Sequence, residues 1–287
     1  LPELARWVLP VVAVLLGFLA QNAGLYFGTR SYVLWMDEAH RPLQGLDDRH
    51  QEGSFTAASK SSWLPTLAWG LEIVTDLLPV LWFGVVMRSS NLRLWSQTLL
   101  TATLLSTLKG FMSWATVLPD EEGWEGCRER LGSDGLKYYR SQVELWAVLT
   151  DLLLLEVRGL WAGHEHRQRF CADATFSGNT YLSALFCTSL FEAVAGSLQQ
   201  VEWQFAARIA VRSVLFAIVL GNMVFPVMNG YHGLADVFIA LLLTVMVYSN
   251  PAVAIAVHHW CEGFATDEDC DRRPAQRELS GNLSPLS

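Results

Sequence analysis

Two short polar stretches of this chain combine residue types that can carry out phosphate chemistry. In the second stretch, His232 and Asp236 stand four residues apart at the start of an apolar segment. That spacing places two side chains on one face of a helix. A carboxylate so placed holds an imidazole in one tautomer and stabilises its cation, as a histidine that attacks phosphorus requires. A hydrogen-bonded His–Asp pair at a polar helix start has the same spacing, so spacing alone leaves both interpretations open.

The first stretch reads CADATFSGNT over residues 171–180, and it also opens directly into an apolar segment. Polar and ionisable groups are costly inside a membrane, so each of them is a candidate functional group. The two stretches would lie at one membrane surface if the apolar segments between them form a hairpin. The sequence therefore predicts one polar site built from the starts of two helices.

The elements that must position these residues are membrane helices. Apolar residues make up 52% of the chain and charged residues only 17%, with a mean hydropathy of +0.27, whereas a soluble domain carries about 25% charged residues. A transmembrane helix needs about 20 mostly apolar residues. Six segments meet that requirement: 7–29, 63–87, 94–118, 176–198, 213–231 and 237–257. We predict an all-α fold, a polytopic membrane helix bundle with about six transmembrane helices over residues 1–257.

The topology is ambiguous between residues 119 and 175. Its first part, DEEGWEGCRERLGSDG, is polar, and we expect it to be an aqueous loop. Residues 143–161 are strongly apolar but carry four charges, each costing about 2.5–3.5 kcal/mol at the centre of a span. We predict one amphipathic surface helix there, with a seventh span as the alternative. Residues 258–287 are predicted to form a polar, acidic C-terminal tail.

Charge and cysteine content exclude several classes of function. A net charge of −8 argues against nucleic acid as a partner, because phosphate binding needs a basic face. The five cysteines form no CxxC pair and no zinc spacing, so we expect no disulfide framework, no metal and no cofactor. Cys261 and Cys270 flank the acidic tail and are the one pair considered, although nothing in the sequence fixes their geometry.

Taken together, the motifs resemble the sphingomyelin synthase-like family of the lipid phosphatase and phosphotransferase superfamily. The family's third motif, C-G-D-x-x-x-S-G-H-T, is matched here by Cys171, Asp173, Ser177, Gly178 and Thr180. Its fourth motif, H-Y-T-x-D, is matched by His232 and Asp236. In the second motif, Lys109 takes the place of an arginine ten residues before Pro119, and Cys127 follows that proline by eight. The resemblance covers about residues 60–257. Ordinary lipid phosphatases are less similar, because their Lys-x6-Arg-Pro motif is missing from the sequence.

The resemblance implies that a phosphorylated headgroup moves from a glycerophospholipid to ceramide while diacylglycerol leaves. His232 would attack phosphorus, Asp236 would support it, and the third-motif histidine would protonate the leaving alkoxide. That third position is Asn179 in this chain, and an amide cannot deliver a proton at neutral pH. General acid catalysis contributes about 10²–10⁴-fold to rates. Asp173, six residues earlier, is the alternative proton donor, because a buried carboxyl can hold its proton near pH 7.

We assign Lys109, Ser177, Gly178 and Thr180 to binding of the lipid headgroup. Lys109 offers a point charge where arginine would offer a fork. We therefore predict a catalytically degenerate relative that serves as a lipid-binding or structural subunit of a larger membrane assembly. The alternative is an active headgroup phosphotransferase that forms a phospho-histidine intermediate, and a proton channel or transporter is a third interpretation.

The partners expected from the resemblance are membrane lipids: phospholipid, ceramide or diacylglycerol. Further subunits would bind through the C-terminal tail. The resemblance also implies the Golgi or the plasma membrane, with an organelle inner membrane as the alternative.

Overall fold

In the computed structural model, the described residues are 2–40, 64–118, 123–141, 146–151, 154, 170–171, 176–197, 204–228 and 233–264. Every regular element within them is helical, which confirms the all-α prediction. The helices named below are α1 (Pro2–His40), α2 (Leu64–Ser89), α3 (Leu92–Thr116), α4 (Gly123–Arg140), α5 (Gly178–Ser197), α6 (Gln204–Met228), α7 (Leu234–Tyr248) and α8 (Pro251–Phe264).

Within the described residues, helices cover most of each of the six segments that were predicted to span a membrane. Among the described residues, α1 and α6 are each long and apolar enough to cross one by themselves. The sixth segment is divided, because α7 and α8 meet at an angle of 47°. Pro251 follows this break and has no N–H with which to continue the α7 hydrogen-bond ladder. The bent pair is a third candidate span if α7 and α8 cross together.

The polar segment expected to be an aqueous loop is instead largely helical. It forms much of α4, which is interrupted at Gly132, where φ is 62°. Glycine accepts this left-handed conformation without the steric cost that a Cβ would add. Residues 146–151 of the predicted surface helix are helical, with Trp146 exposed and Val148 buried. The rest of that helix, apart from Leu154, lies outside the described residues.

Among the described helices, α1 and α3 pack together most extensively, and they run in the same direction. Trp7 packs against Trp95 with ring centroids 5.7 Å apart, and roughly four to five turns further along Gly24 meets Gly110. A Cβ added at Gly24 would lie 2.6 Å from the Gly110 Cα, so the two backbones touch directly. Small residues allow such close approach of membrane helices, where van der Waals packing drives association.

Hydrogen bonds place α5 at the centre of the remaining helices. The indole Nε1 of Trp82 in α2 donates to Ser189 Oγ at 2.6 Å, and the hydroxyls of Ser189 and Thr98 lie 2.6 Å apart. Near the same level, the Tyr248 hydroxyl of α7 donates to Glu192 Oε2 at 2.9 Å. At the other end of α5, the Lys109 Nζ of α3 approaches Gly178, so α3 is antiparallel to α5. There the Ser177 N–H also donates to the Asp236 carbonyl, so α7 is parallel to α5. Helix α2 is parallel to α5 as well, because Asn222 connects Thr75 to Thr180.

One end of the bundle therefore gathers the ends of α1, α3 and α6 and the starts of α2, α5 and α7. We call it the site end. A disulfide there joins Cys127 of α4 to Cys171, with Cα atoms 5.4 Å apart. Arg140 at the end of α4 donates to both carboxylate oxygens of Asp37 in α1, at 2.6 and 2.7 Å. This contact raises the pKa of the Arg140 guanidinium above its usual value.

The Cys127–Cys171 disulfide was not predicted, because spacing along the chain cannot reveal which cysteines the fold brings together. Cys261, a member of the pair that was considered, is buried in α8. Cys270, the other member, lies outside the described residues. Helix α8 also continues to Phe264, beyond the predicted start of the tail at residue 258. Residues 265–287 lie outside the described part of the chain.

Candidate functional site

The first turn of α5 is organised by Ser177. Its hydroxyl Oγ accepts a hydrogen bond from the Thr180 backbone N–H at 3.4 Å, and its carbonyl accepts one from the Tyr181 N–H at 3.2 Å. Serine in this position is an N-cap, which satisfies one of the free N–H groups at a helix start. Ser177 is fully buried. Its hydroxyl therefore supports the turn that was predicted to bind a headgroup.

Lys109 of α3 reaches the same turn. The side chain is only 2% exposed, and its Nζ lies 3.2 Å from the position that a Cβ on Gly178 would occupy. The glycine thus leaves room for the ammonium beside the start of α5. A helix start carries about half a positive charge, and backbone N–H groups there bind phosphate readily. The ammonium and the helix start attract the same kind of ligand, an anion.

Asp236 joins the second polar stretch to the first. The Ser177 backbone N–H donates to the Asp236 carbonyl at 3.4 Å, so the starts of α5 and α7 meet directly. The Asp236 carboxylate Oδ2 also accepts from the Gly233 N–H at 2.9 Å, which caps α7. His232 and Asp173 lie outside the described residues. The structure therefore places the Asp236 carboxylate at the site end and does not test the position predicted for the His232 imidazole.

The Thr180 hydroxyl is directed towards α6 in this structure. Thr180 is fully buried, and its Oγ1 donates to the backbone carbonyl of Asn222 at 3.2 Å. The amide Nδ2 of Asn222 donates in turn to Thr75 Oγ1 at 2.8 Å and to the Ile218 carbonyl at 3.0 Å. Asn222 was not among the site residues predicted from the sequence, although an asparagine within an apolar span indicates a candidate functional group.

Asn179 is the exposed member of this turn. It is the second residue of α5, between Gly178 and the buried Thr180, and its side chain is exposed at the site end. Among the described residues, no group of three or more histidine, cysteine or acidic side chains could hold a metal ion. The turn therefore offers a buried lysine, helix N–H groups and one exposed amide, a set that can bind an anion.

Comparisons with protein-family models, with curated proteins and with solved structures find no match to this chain. The resemblance to the sphingomyelin synthase-like family therefore rests on the motif residues themselves. Four of them and Lys109 lie together at the site end: Ser177, Gly178, Thr180 and Asp236.

Proposed function

We propose that this chain is a six-span membrane protein, similar to sphingomyelin synthases, that binds the phosphorylated headgroup of a membrane lipid without transferring it. The observation that carries the proposal is the buried Lys109 ammonium beside the start of α5. A phosphate bound there would interact with the ammonium through a charge-assisted hydrogen bond and with the N–H groups and dipole of the helix start. The ligand proposed for this site is a phospholipid. Ceramide and diacylglycerol, which carry no phosphate, are further lipid partners proposed from the resemblance, and on that resemblance we propose a role in sphingolipid metabolism.

The six-span arrangement is supported by the alternation of the helices at the site end. Helices α2, α3 and α5 contain 26, 25 and 20 residues, enough for about 30 Å of hydrocarbon at 1.5 Å per residue. Large apolar side chains are exposed along α6, including Phe205 at 77% and Phe216 at 66%. Such exposure suits contact with lipid tails.

The absence of transfer is proposed because Asn179 stands where the related enzymes place their acid. Loss of a general acid lowers the rate by about 10²–10⁴-fold, which corresponds to roughly 3–5 kcal/mol of barrier. A diacylglycerol alkoxide is a poor leaving group and needs that proton. The protein would therefore hold a lipid as a binding or structural subunit of a larger assembly. The subunit part of this proposal rests on the acidic C-terminal tail in the sequence.

An active phosphotransferase is the second candidate, and one contact favours it. The hydrogen bond from the Ser177 N–H to the Asp236 carbonyl brings the third and fourth motifs together, as a reaction that uses both would require. Asp173 would then have to supply the proton that Asn179 cannot.

The disulfide supports a location for the site end. Disulfides form and persist in oxidising compartments and are rare in the cytosol. We therefore propose that the site end faces the lumen of the secretory pathway or the cell exterior, in agreement with the Golgi or plasma membrane expected from the resemblance.

The test of transfer uses the purified full chain in nanodiscs with headgroup-labelled phosphatidylcholine and ceramide. We expect no measurable sphingolipid product from the wild type and a gain from Asn179→His, which restores an acid to the turn. Asn179→Gln is the matched control, because it changes the side chain without adding an acid. Wild-type turnover equal to that of Asn179→His would show that the protein is an enzyme.

The test of binding uses short-chain phosphatidylcholine as the probe. Lys109→Met removes the charge at similar length, and we expect at least tenfold weaker binding, whereas Lys109→Arg should retain most of it. Lys137→Met is the matched control, because Lys137 is exposed on α4. Equal affinity of the wild type and Lys109→Met would contradict the proposed site.

A further inference from the structure

A proline near the end of α6 leaves one backbone carbonyl without its usual helical donor. Helix α6 continues to Met228 although Pro226 lies inside it. Proline has no N–H, so it cannot donate to the carbonyl four residues earlier, which is that of Asn222. In a membrane such a carbonyl must find another partner, because no water is present to hydrogen-bond it.

The hydroxyl of Thr180 supplies that partner from a different helix. Its Oγ1 donates to the Asn222 carbonyl at 3.2 Å, in place of the N–H that Pro226 lacks. Thr180 is fully buried and Asn222 is 5% exposed, so water has little access to the bond. A hydroxyl that makes this bond cannot donate to a lipid phosphate at the same time.

Asn222 is also held from its other side. Its amide Nδ2 donates to Thr75 Oγ1 of α2 at 2.8 Å. Thr75 itself stands four residues before Pro79, as Asn222 stands four residues before Pro226. The Thr75–Asn222 bond thus joins α2 and α6 at two residues whose carbonyls cannot accept the usual helical hydrogen bond, because a proline lies four residues later. This bond also fixes the orientation of Asn222 towards α5.

The first turn of α5 therefore forms hydrogen bonds to both helices that flank the α6–α7 connection. Thr180 bonds to Asn222 in α6, before the connection, and the Ser177 N–H bonds to Asp236 in α7, after it. Residues 229–232, which include His232, lie between these two attachments in the sequence. The position of one end of this segment then depends on the Thr180 hydroxyl.

We propose that Thr180 is a positioning residue: its hydroxyl replaces the hydrogen bond that Pro226 removes and thereby fixes the end of α6 that leads to His232. This revises the expectation that Thr180 binds the headgroup. The inference rests on the proposed function only in taking the site end as the place where the lipid headgroup binds.

The test is a double-mutant cycle between Thr180 and Pro226. Pro226→Ala restores a backbone N–H that can donate to the Asn222 carbonyl, so it should make the Thr180 hydroxyl dispensable. The readout is the rate at which diethyl pyrocarbonate modifies His232, measured by mass spectrometry in nanodiscs. His258 and His259, exposed on α8 at the opposite end of the bundle, serve as internal controls.

Thr180→Val keeps the shape of threonine but removes the donor, and we expect it to change the His232 rate by about threefold or more. Thr180→Ser retains the hydroxyl and should react like the wild type. In the Pro226→Ala background, Thr180→Val should change the rate by less than about 1.5-fold. The rates at both control histidines should stay constant in every variant.

Three results would overturn the inference: an unchanged His232 rate in Thr180→Val, a serine variant that behaves like valine, or a valine effect that persists in full beside Pro226→Ala. If Thr180→Val fails to fold, rescue of folding by Pro226→Ala supports the inference, and failure of that rescue contradicts it. The modification assay needs no bound lipid. A positive cycle with no phosphatidylcholine binding by the wild type would overturn the proposed function alone.

Discussion

Removal of the Cys127–Cys171 disulfide should lower stability by an amount that follows from its position in the chain. The two cysteines are separated by 44 residues. The chain-entropy relation for a loop of that length gives about 13 cal/mol/K, or about 4 kcal/mol at 25 °C, through restriction of the unfolded chain. Cys127→Ser, Cys171→Ser and the double variant should each lose about that amount, because any one of them opens the same loop.

The loss should extend to the site end, because the disulfide lies close to it along the chain. Cys171 stands six residues before Ser177, and its backbone N–H donates to the Thr29 hydroxyl of α1 at 3.0 Å. Loss of the disulfide removes the covalent link between α4 and Cys171. We therefore expect weaker phosphatidylcholine binding in the serine variants, in addition to a lower unfolding temperature.

The assay is thermal unfolding in detergent of the wild type with and without reductant, beside the three serine variants. Reduced wild type should match the variants, and Cys187→Ala should lose much less stability than they do, because Cys187 forms no disulfide. The reasoning is refuted if the double variant loses the sum of two single losses. It is refuted equally if both Cys127 and Cys171 are alkylated in the unfolded, unreduced protein.

Two further predictions concern the contacts of α1. Gly24→Ala should destabilise the protein by about 1–3 kcal/mol, the usual cost of overpacking, because its methyl group would press on the Gly110 backbone; Gly70→Ala, which meets no atom within 4 Å, is the control in the same thermal unfolding assay. Arg140→Gln should cost no more than about 1 kcal/mol, because the side chains of its ion pair with Asp37 are 48% and 27% exposed and ion pairs near the surface contribute about 0–1 kcal/mol. If Arg140→Gln loses as much stability at 1 M salt as at low salt, the loss does not arise from the ion pair.

Much of the fold could be predicted from hydropathy, because a membrane helix must be long and apolar to satisfy its backbone in lipid. The bounds of α2, α3 and α5 fall within a few residues of the predicted segments. The meeting of two polar stretches at one end also follows from counting spans, and Ser177 and Asp236 are in contact there. Six membrane crossings remain a prediction.

Features that depend on tertiary packing were missed. Helix α4 has a polar composition, and it is stabilised by apolar side chains such as Tyr139, whose ring lies 5.3 Å from that of Tyr26 in α1. The Cys127–Cys171 pairing needs the same docking of α4. The role of Thr180 needed knowledge of which helix lies beside α5, although Pro226 in the sequence indicates that one carbonyl requires an outside donor.

The exposure of Asn179 explains how this turn could lose an acid and keep its structure. Its neighbours Ser177 and Thr180 are fully buried and hydrogen-bonded, so substitutions there would disturb the start of α5. Asn179 faces outward, and exchange of a histidine for an asparagine there creates no cavity in the core. Surface substitutions of this kind usually change stability by no more than about 0.5 kcal/mol. Under the proposed function, a headgroup site around Lys109 can therefore persist although an asparagine stands where the related enzymes place the residue that protonates the leaving group.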